Sequence, residues 1–468
     1  MTQKSQINFK RKEIIIMKKI DDKCLVRLGF ILKNGEIKDF NGNIYANQIM
    51  ENYELLYSRD GSFYYYLDGV YIRISDTELK NILMMDFDAD APDLWKPSYE
   101  RFYMESLKHK VFYEGQMNQN KDFINLQNGM LQLSTLILKK HSKKYYSTVQ
   151  LPFEYDSNAT CEQFLNYLDA VFEGDEQRIA LLQEWLGYLL TCETKAQKAL
   201  VLYGSGNNGK GVCSSIIEAL VGRENISYAS LADLSNQFIR ATLFDKQLVM
   251  CSENEISSFN TQYFKQIVGG DTCITASHKN KKPFEFFPYC KIVMSTNNLP
   301  DTRDRTDGFY RRLQFIHFSK YFNEEEKDVN LTEKLKTELS GILNWALVGL
   351  HRLRENDYRF SPCESSDRLL NEYRVEQNPF LEFVSECLNV DTSQSKEENR
   401  IVYNSFKDWC YKNGHHRFAN ISSKKFWREF DNAMILSGHE PPERKNSGNH
   451  RYCHGVTVKK DYRWVDCY

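Results

Sequence analysis

KALVLYGSGNNGKGVCSSIIEALVG, residues 198–222, decides how the rest of the chain is read. KALVLY has the length and apolar content of a buried strand, and VCSSIIEALVG has helical spacing. Between them runs GSGNNGKG, Gly204 to Gly211. Strand, glycine-rich loop and helix in that order are the context a phosphate-binding loop requires. Glycines let the backbone wrap until successive N–H groups point at phosphate oxygens, and the helix N-terminus adds partial positive charge. The candidate nucleotide-binding residues are Gly204, Ser205, Gly206, Asn207, Asn208, Gly209, Lys210, Gly211 and Val212. Lys210 would reach the β- and γ-phosphates as a point charge. One position departs from the usual pattern: the Ser or Thr that follows the lysine and ligates magnesium is Gly211. The metal must then be held by waters, by Ser214 or Ser215, or mainly by an acid elsewhere.

Three further segments follow in the order that nucleotide hydrolysis needs. KQLVMCSENE (246–255) is an apolar strand followed by Glu253 and Glu255. Glu253 is the candidate magnesium residue, and either acid could polarise the attacking water. KIVMSTNNLP (291–300) is a second short strand, and Asn297 at its end can orient water against the γ-phosphate. DGFYRRLQFIHF (307–318) brings Arg311 and Arg312 just before a third strand. One of them, offered to a neighbouring subunit's phosphates, would stabilise transition-state charge. Between the first and second of these lie TCITAS and PFEFF, strand-like runs that flank the basic turn HKNKK, 278–282. His278, Lys279, Lys281 and Lys282 would grip a nucleic-acid backbone without reading sequence.

This order of segments resembles the superfamily 3 helicases, specifically the phage, plasmid and poxvirus-type primase-helicase proteins of mobile elements. The likeness runs from about residue 120 to 355. FINLQNGMLQL, VQLPFEYDSNATCEQFLNYL and LQEWLGYLL look like that family's lead-in segment, and ELSGILNWALVGLHRL like its closing helix. The resemblance implies an α/β fold with an AAA+ P-loop ATPase core, using ATP and Mg2+. It also implies a homo-hexamer with ATP between subunits, the 278–282 hairpin on single-stranded DNA in the ring channel, and 3′→5′ movement.

Elsewhere the reading rests on pattern. Thr160 and Gln163 resemble a capping box opening a helix over CEQFLNYLDAVF; a second helix covers 175–190 and a single long one 331–353. The stretch 391–399 is polar and reads as a linker. Residues 401–468 carry 12 Lys and Arg against 7 Asp and Glu, in the order helix, turn, helix, basic loop, strands. That order reads as a winged helix for duplex origin DNA, with Lys424, Lys425 and Arg428 on the recognition helix. Arg444, Lys445 and Arg451 fall in the wing. The Cys410, His415, His416, Cys453 and His454 groupings fit no standard zinc spacing. ILMMDFDAD (82–90) imitates a primase metal pair at Asp86 and Asp88, but it follows a helical pattern and the segment is short for a primase. The expected divisions are a mixed, non-catalytic 1–120, a helical 121–196, an ATPase 197–360, a helical linker 361–400 and a DNA-binding 401–468.

Composition bounds the rest. The 468 residues carry 61 Lys and Arg against 63 Asp and Glu, a formal charge of −2, which excludes a polybasic tail protein. Twelve cysteines occur singly with no C-x-x-C, the usage of a reducing compartment. The apolar run at Ile14–Ile16 is too short for a secretory leader, and nothing approaches the roughly 20 apolar residues of a membrane span. A cytoplasmic protein without a membrane partner is expected. The function expected is an ATP-dependent DNA helicase for a mobile element, working with a separate primase or loader. The alternatives are an origin-binding initiator that uses ATP for assembly, or a primase-helicase.

Overall fold

The structure, a computed structural model, describes residues 20–251, 259–299, 302, 304, 306–323, 325–390 and 395–465. Glu253 and Glu255 lie outside the described residues. The fold is mixed α/β, in two compact units: residues up to Asn120 with Lys139–Gln150, and Lys121–Leu138 with the chain from Leu151 onward.

In the first unit, strands Phe63–Leu67 and Val70–Ile74 form a hairpin, extended by Leu55–Ser58 and Phe112–Tyr113. The two turn residues, Asp68 and Gly69, both take positive φ (47° and 92°), which matches the twist of the flanking strands. Ser75 and Glu78 form a reciprocal cap that opens the helix Asp76–Asp90. Its buried face, Leu79, Leu83 and Phe87, packs with Phe30, Tyr45 and Tyr103. Asp86 and Asp88 sit two positions apart near the end of this helix, so their side chains diverge. Asp86 accepts a hydrogen bond from the Tyr53 hydroxyl, and Asp88 accepts one from the Asp93 amide at 3.1 Å. No paired metal site forms there.

The second unit is organised by a five-stranded parallel sheet. In chain order its strands are β1 (Ala199–Tyr203), β2 (Ile226–Tyr228), β3 (Leu248–Cys251), β4 (Lys291–Thr296) and β5 (Leu313–His317). In space they run β2-β3-β4-β1-β5. Both faces are covered, which explains why the strands read as continuous apolar runs rather than alternating ones. Leu200, Leu202, Val293 and Ile316 face a core shared with helices Glu162–Phe172, Glu176–Leu189, Lys210–Val221 and Leu339–Glu355. Ala199, Val201, Ile292 and Phe315 face the opposite core, with Phe264, Phe309 and Tyr373.

Two expectations about the helices need correction. The stretch 331–353 is not one helix but two, Leu331–Lys336 and Leu339–Glu355, parted at Thr337–Glu338. The break frees the Glu338 carboxylate, which accepts from the Gln163 and Phe164 amides at 3.1 and 2.9 Å. The helix Glu162–Phe172 is therefore capped by a residue about 175 positions away, and its own N-terminal residues make no side-chain cap. Thr160 makes a different contact, its backbone pressing against Gly341.

Helices Glu176–Leu189 and Leu339–Glu355 approach backbone to backbone. A Cβ on Gly187 would lie 2.3 Å from the Ala346 carbonyl oxygen, and one on Gly349 would lie 2.4 Å from the Gln183 carbonyl. Arg352 fastens the same pair, donating to Glu184, Gln183 and Ala180 at 2.7, 2.9 and 2.9 Å. Gly349→Ala gains helix propensity worth about 1 kcal/mol, yet forces apart a contact whose overpacking costs roughly 1–3 kcal/mol. The net expectation is a lower melting temperature, which thermal unfolding measures directly.

Near the C-terminus the polar stretch is not wholly a linker, since Lys396–Glu398 is a strand paired with His450–His454. The cluster that binds Phe406, Phe426 and Phe430 also takes in Phe380, Phe383 and Val384, so the helix Pro379–Cys387 packs with the C-terminal helices Asn399–Lys412 and Ser423–Leu436. A hairpin, Arg444–Ser447 with His450–His454, follows.

Lys291, at the start of β4, is fully buried over the Tyr188 ring, with its ammonium against the Thr191 and Tyr289 carbonyls. Burial lowers its pKa from 10.5 to about 8. As pH falls, the unfolded chain takes up this proton before the folded one does. Lys291 therefore subtracts stability in full below about pH 8 and none above 10.5. The melting temperature of the wild type should rise relative to Lys291→Met between pH 8 and 10, and a flat difference across that window would refute the assignment.

Candidate functional site

β1 lies between β4 and β5, so the loop leaving its C-terminal end opens where the connections diverge to either side. That is where open α/β sheets bind ligands. Gly206, Asn207 and Gly209 take φ of 90°, 49° and 84°, which folds the loop back before the helix Lys210–Val221 begins. Gly204 and Gly209 are closely packed, whereas at Gly206 and Gly211 a Cβ would meet nothing within 4 Å. The first two hold the loop against the protein, and the other two leave open the side a phosphate would approach.

Polar contacts fix the loop's shape. Asn208 donates to the Phe318 carbonyl at 3.0 Å and accepts from the Lys210 amide at 3.2 Å. The Phe322 amide donates to the Asn207 carbonyl at 2.8 Å. The buried ammonium of Lys210 donates to the Gly204 carbonyl at 3.0 Å and to Asn297 Oδ1 at 2.5 Å. Lys210 and Asn297, separated by 87 positions, are thus brought together. Ser205 is exposed and Val212 half-buried in the first turn of the helix. The Ser214 Oγ, one turn further on, is buried with no hydrogen-bond partner among the described residues.

Tyr167 was not legible as a site residue. Its hydroxyl, on the helix Glu162–Phe172, donates to the Gly209 carbonyl at 3.0 Å. Val171, one turn along, fills the space beside Gly209. Full burial raises the Tyr167 pKa well above its ordinary value, so the hydroxyl stays a donor. The helical pattern of CEQFLNYLDAVF places Tyr167 on the apolar face with Phe164 and Val171, but no local signal gives the hydroxyl's partner.

The two arginines before β5 have different surroundings. Arg312 donates to the Gly308 carbonyl, its Nε is buried with no hydrogen-bond partner among the described residues, and burial together with Arg311 lowers its pKa. Arg311 is exposed. Their segment is tethered twice. Asp307 pairs with Arg374 at 2.9 Å, and Asp304 accepts from Thr261 and Lys265 at 2.6 and 2.7 Å. Burial alone would raise the Asp304 pKa, but hydrogen bonds from Lys265, Thr261 and Thr306 prevail and bring it down to about 2.

The basic turn stands as expected, between antiparallel strands Ile274–Ala276 and Phe284–Phe286, with Lys279, Lys281 and Lys282 exposed and His278 stacked on Phe284. In the C-terminal segment Lys424, Lys425 and Arg428 are exposed on the helix Ser423–Leu436, Arg428 beside Glu429. Lys445 and Arg451 are exposed on the hairpin. Arg444 is a correction: its guanidinium clasps the Asp431 carboxylate and lies 4.9 Å from the Trp427 ring centre, so it fastens the hairpin to the helix instead of facing solvent.

Comparison with known proteins gives the same neighbourhood. Residues 104–173 match the family described as D5 N terminal like, and residues 202–312 match a family of unknown function, DUF5906. "Putative helicase 184R" of Invertebrate iridescent virus 6 is 21% identical over 67% of this chain and 37% of its own length. "Putative helicase 121R" of Invertebrate iridescent virus 3 is 22% identical over 72% of this chain and 40% of its own. "Putative helicase L207/L206" of Acanthamoeba polyphaga mimivirus is 24% identical over 64% of this chain and 34% of its own. The chain resembles viral helicases. It spans about two fifths of their length or less. In fold it is similar to the apo C-terminal region of NrS-1, with a TM-score of 0.51 at 13% identity, over 90% of this chain and all of that one. No helix among the described residues is long and apolar enough to cross a membrane.

Tyr167→Phe should cost about 1 kcal/mol of stability, the net worth of one buried hydrogen bond. If the hydroxyl also sets the loop, nucleotide affinity should fall several-fold, measured by titration with a fluorescent ATP analogue. Unchanged affinity would confine Tyr167 to packing.

Proposed function

We propose that this chain is an ATP-dependent DNA helicase of the AAA+ class, resembling superfamily 3, that acts in replication. The observation that carries the reading is the bond between Lys210 and Asn297 at the end of β1 and β4. The two side chains are close enough that one γ-phosphate could touch both, which supports a phosphate-binding role for Lys210 and a water-orienting role for Asn297. The parallel order β2-β3-β4-β1-β5, with the loop at the end of the inner strand β1 and Asn297 beyond the end of its neighbour β4, supports the assignment. With ATP bound, Lys210 would exchange the Gly204 and Asn297 oxygens for phosphate oxygens, and Asn297 would be released to hold the lytic water. Gly204 to Gly209 supply the cradle of backbone N–H groups.

Magnesium would neutralise phosphate charge. Ser214 Oγ is the unpartnered oxygen nearest in sequence to Gly211, and Glu253 and Glu255 are the acids the sequence supplies. Arg311 is the better candidate to act on a neighbour's nucleotide, because Arg312 is engaged with Gly308. A hexameric ring, the 278–282 turn gripping single-stranded DNA, and a C-terminal winged helix on duplex DNA complete the proposal. The helix Ser423–Leu436 followed by a basic hairpin supports the last of these.

A forked-duplex unwinding assay tests the reading. Wild type should hydrolyse ATP and separate the strands, and Lys210→Ala should lose both by at least a hundredfold. Hydrolysis by the wild type without strand separation would exclude the helicase.

A further inference from the structure

Between the tethered arginine segment and the C-terminal helices lies a cleft of about 890 Å³. One wall is Asp304, Thr306 and Asp307; the other is the face of the helix Ser423–Leu436 bearing Lys425, Arg428 and Asn432, with Arg417 and Phe418 beside it. Lys424, next to Lys425 on the same helix, does not line it. The face a recognition helix would use is therefore divided: Lys425 and Arg428 line the cleft, Arg428 paired with Glu429, and Lys424 does not. A volume at the upper end of small-ligand sites, about 300–1,000 Å³, admits a few nucleotides but not a double helix.

We propose that this cleft seats a short run of single-stranded nucleic acid. The inference rests on the nucleic-acid part of the function proposed above. The chemistry of the walls suits such a strand. Arg417, held over the Phe418 ring at 5.0 Å, and Lys425 offer charge to phosphates, and Asn420 and Asn432 offer amides to base edges. The acids of the walls are each paired with a cation, Asp304 with Lys265, Asp307 with Arg374 and Glu429 with Arg428, which leaves Arg417 and Lys425 as the net positive charge of the lining. An acidic peptide would use the two cations but would leave the amides without a role. A strand held here also touches the segment that carries Arg311, so its presence would be felt where the chain meets a neighbouring nucleotide.

The test is equilibrium binding of a fluorescent oligo-dT to the full chain, followed by anisotropy across a salt series. Because the 278–282 turn is a second strand-binding surface, the background is Lys281→Gln/Lys282→Gln. Adding Arg417→Gln and Lys425→Gln should weaken binding about tenfold. It should also flatten the slope of log K against log salt by about 1.4, since each phosphate contact on a single strand contributes about 0.7. Lys460→Gln, an exposed lysine of the same region that does not line the cleft, should stay within twofold. The proposal is overturned if the double substitution binds the strand like its background. It is equally overturned if blunt duplex loses as much affinity as the strand, or if a polyglutamate peptide binds with the same dependence on Arg417 and Lys425. A wild type that binds oligo-dT through these residues but neither hydrolyses ATP nor unwinds would keep the cleft and remove the motor.

Discussion

The ammonium of Lys210 is buried, and a buried charge is tolerable only when oxygens surround it. The chain meets this need with one oxygen from the loop, Gly204, and one from the end of β4, Asn297. That requirement ties a local turn to a strand about 90 residues further on. It works only if β4 lies beside β1 in parallel register, which the pairing of Tyr203 with Thr296 provides. The sheet order is thus the condition under which the lysine can be both buried and available.

Around that contact the protein adds supports from outside the sheet. Tyr167 and Val171 press the lead-in helix onto Gly209, and Arg178 joins the end of that helix to the end of β5 through the Phe172 and His317 carbonyls. Glu338 caps the other end of the same helix. The lead-in helices are therefore part of the loop's foundation, not an appended module. On the far side of the sheet Asp304 and Asp307 hold the arginine segment to the helices Thr261–Gly269 and Glu364–Gln377. The first of these precedes the basic hairpin and the second leads to the C-terminal helices.

Much of the site was legible because its signals are local. A glycine-rich loop between strand and helix names its own conformation, and apolar runs ending in polar residues name the strand ends that flank it. The hairpin at 278–282 was equally readable from two short strands and a basic turn. What failed were choices that depend on a distant partner. The pair Thr160 and Gln163 had the spacing of a cap, yet Glu338 supplies the cap, since the carboxylate released by the break at 337–338 reaches two amides at once. Arg444 had the composition of a wing residue, yet Asp431 on the neighbouring helix takes its charge.

By itself, then, the sequence determined the phosphate loop, the order of strands that follow it, and the segregation of basic residues into two segments of a nearly neutral chain. Those properties follow from periodicity and from residue types, which act over a few positions. Only the tertiary structure decided which polar groups are consumed in holding the fold and which remain available. It left Arg311 exposed while Arg312 is engaged, withdrew Arg444, paired Arg428 with Glu429, brought Tyr167 to the loop, and set Lys425 on the wall of a cleft. A side chain's hydrogen-bonding capacity is finite, and how it is shared depends on neighbours that linear spacing does not specify.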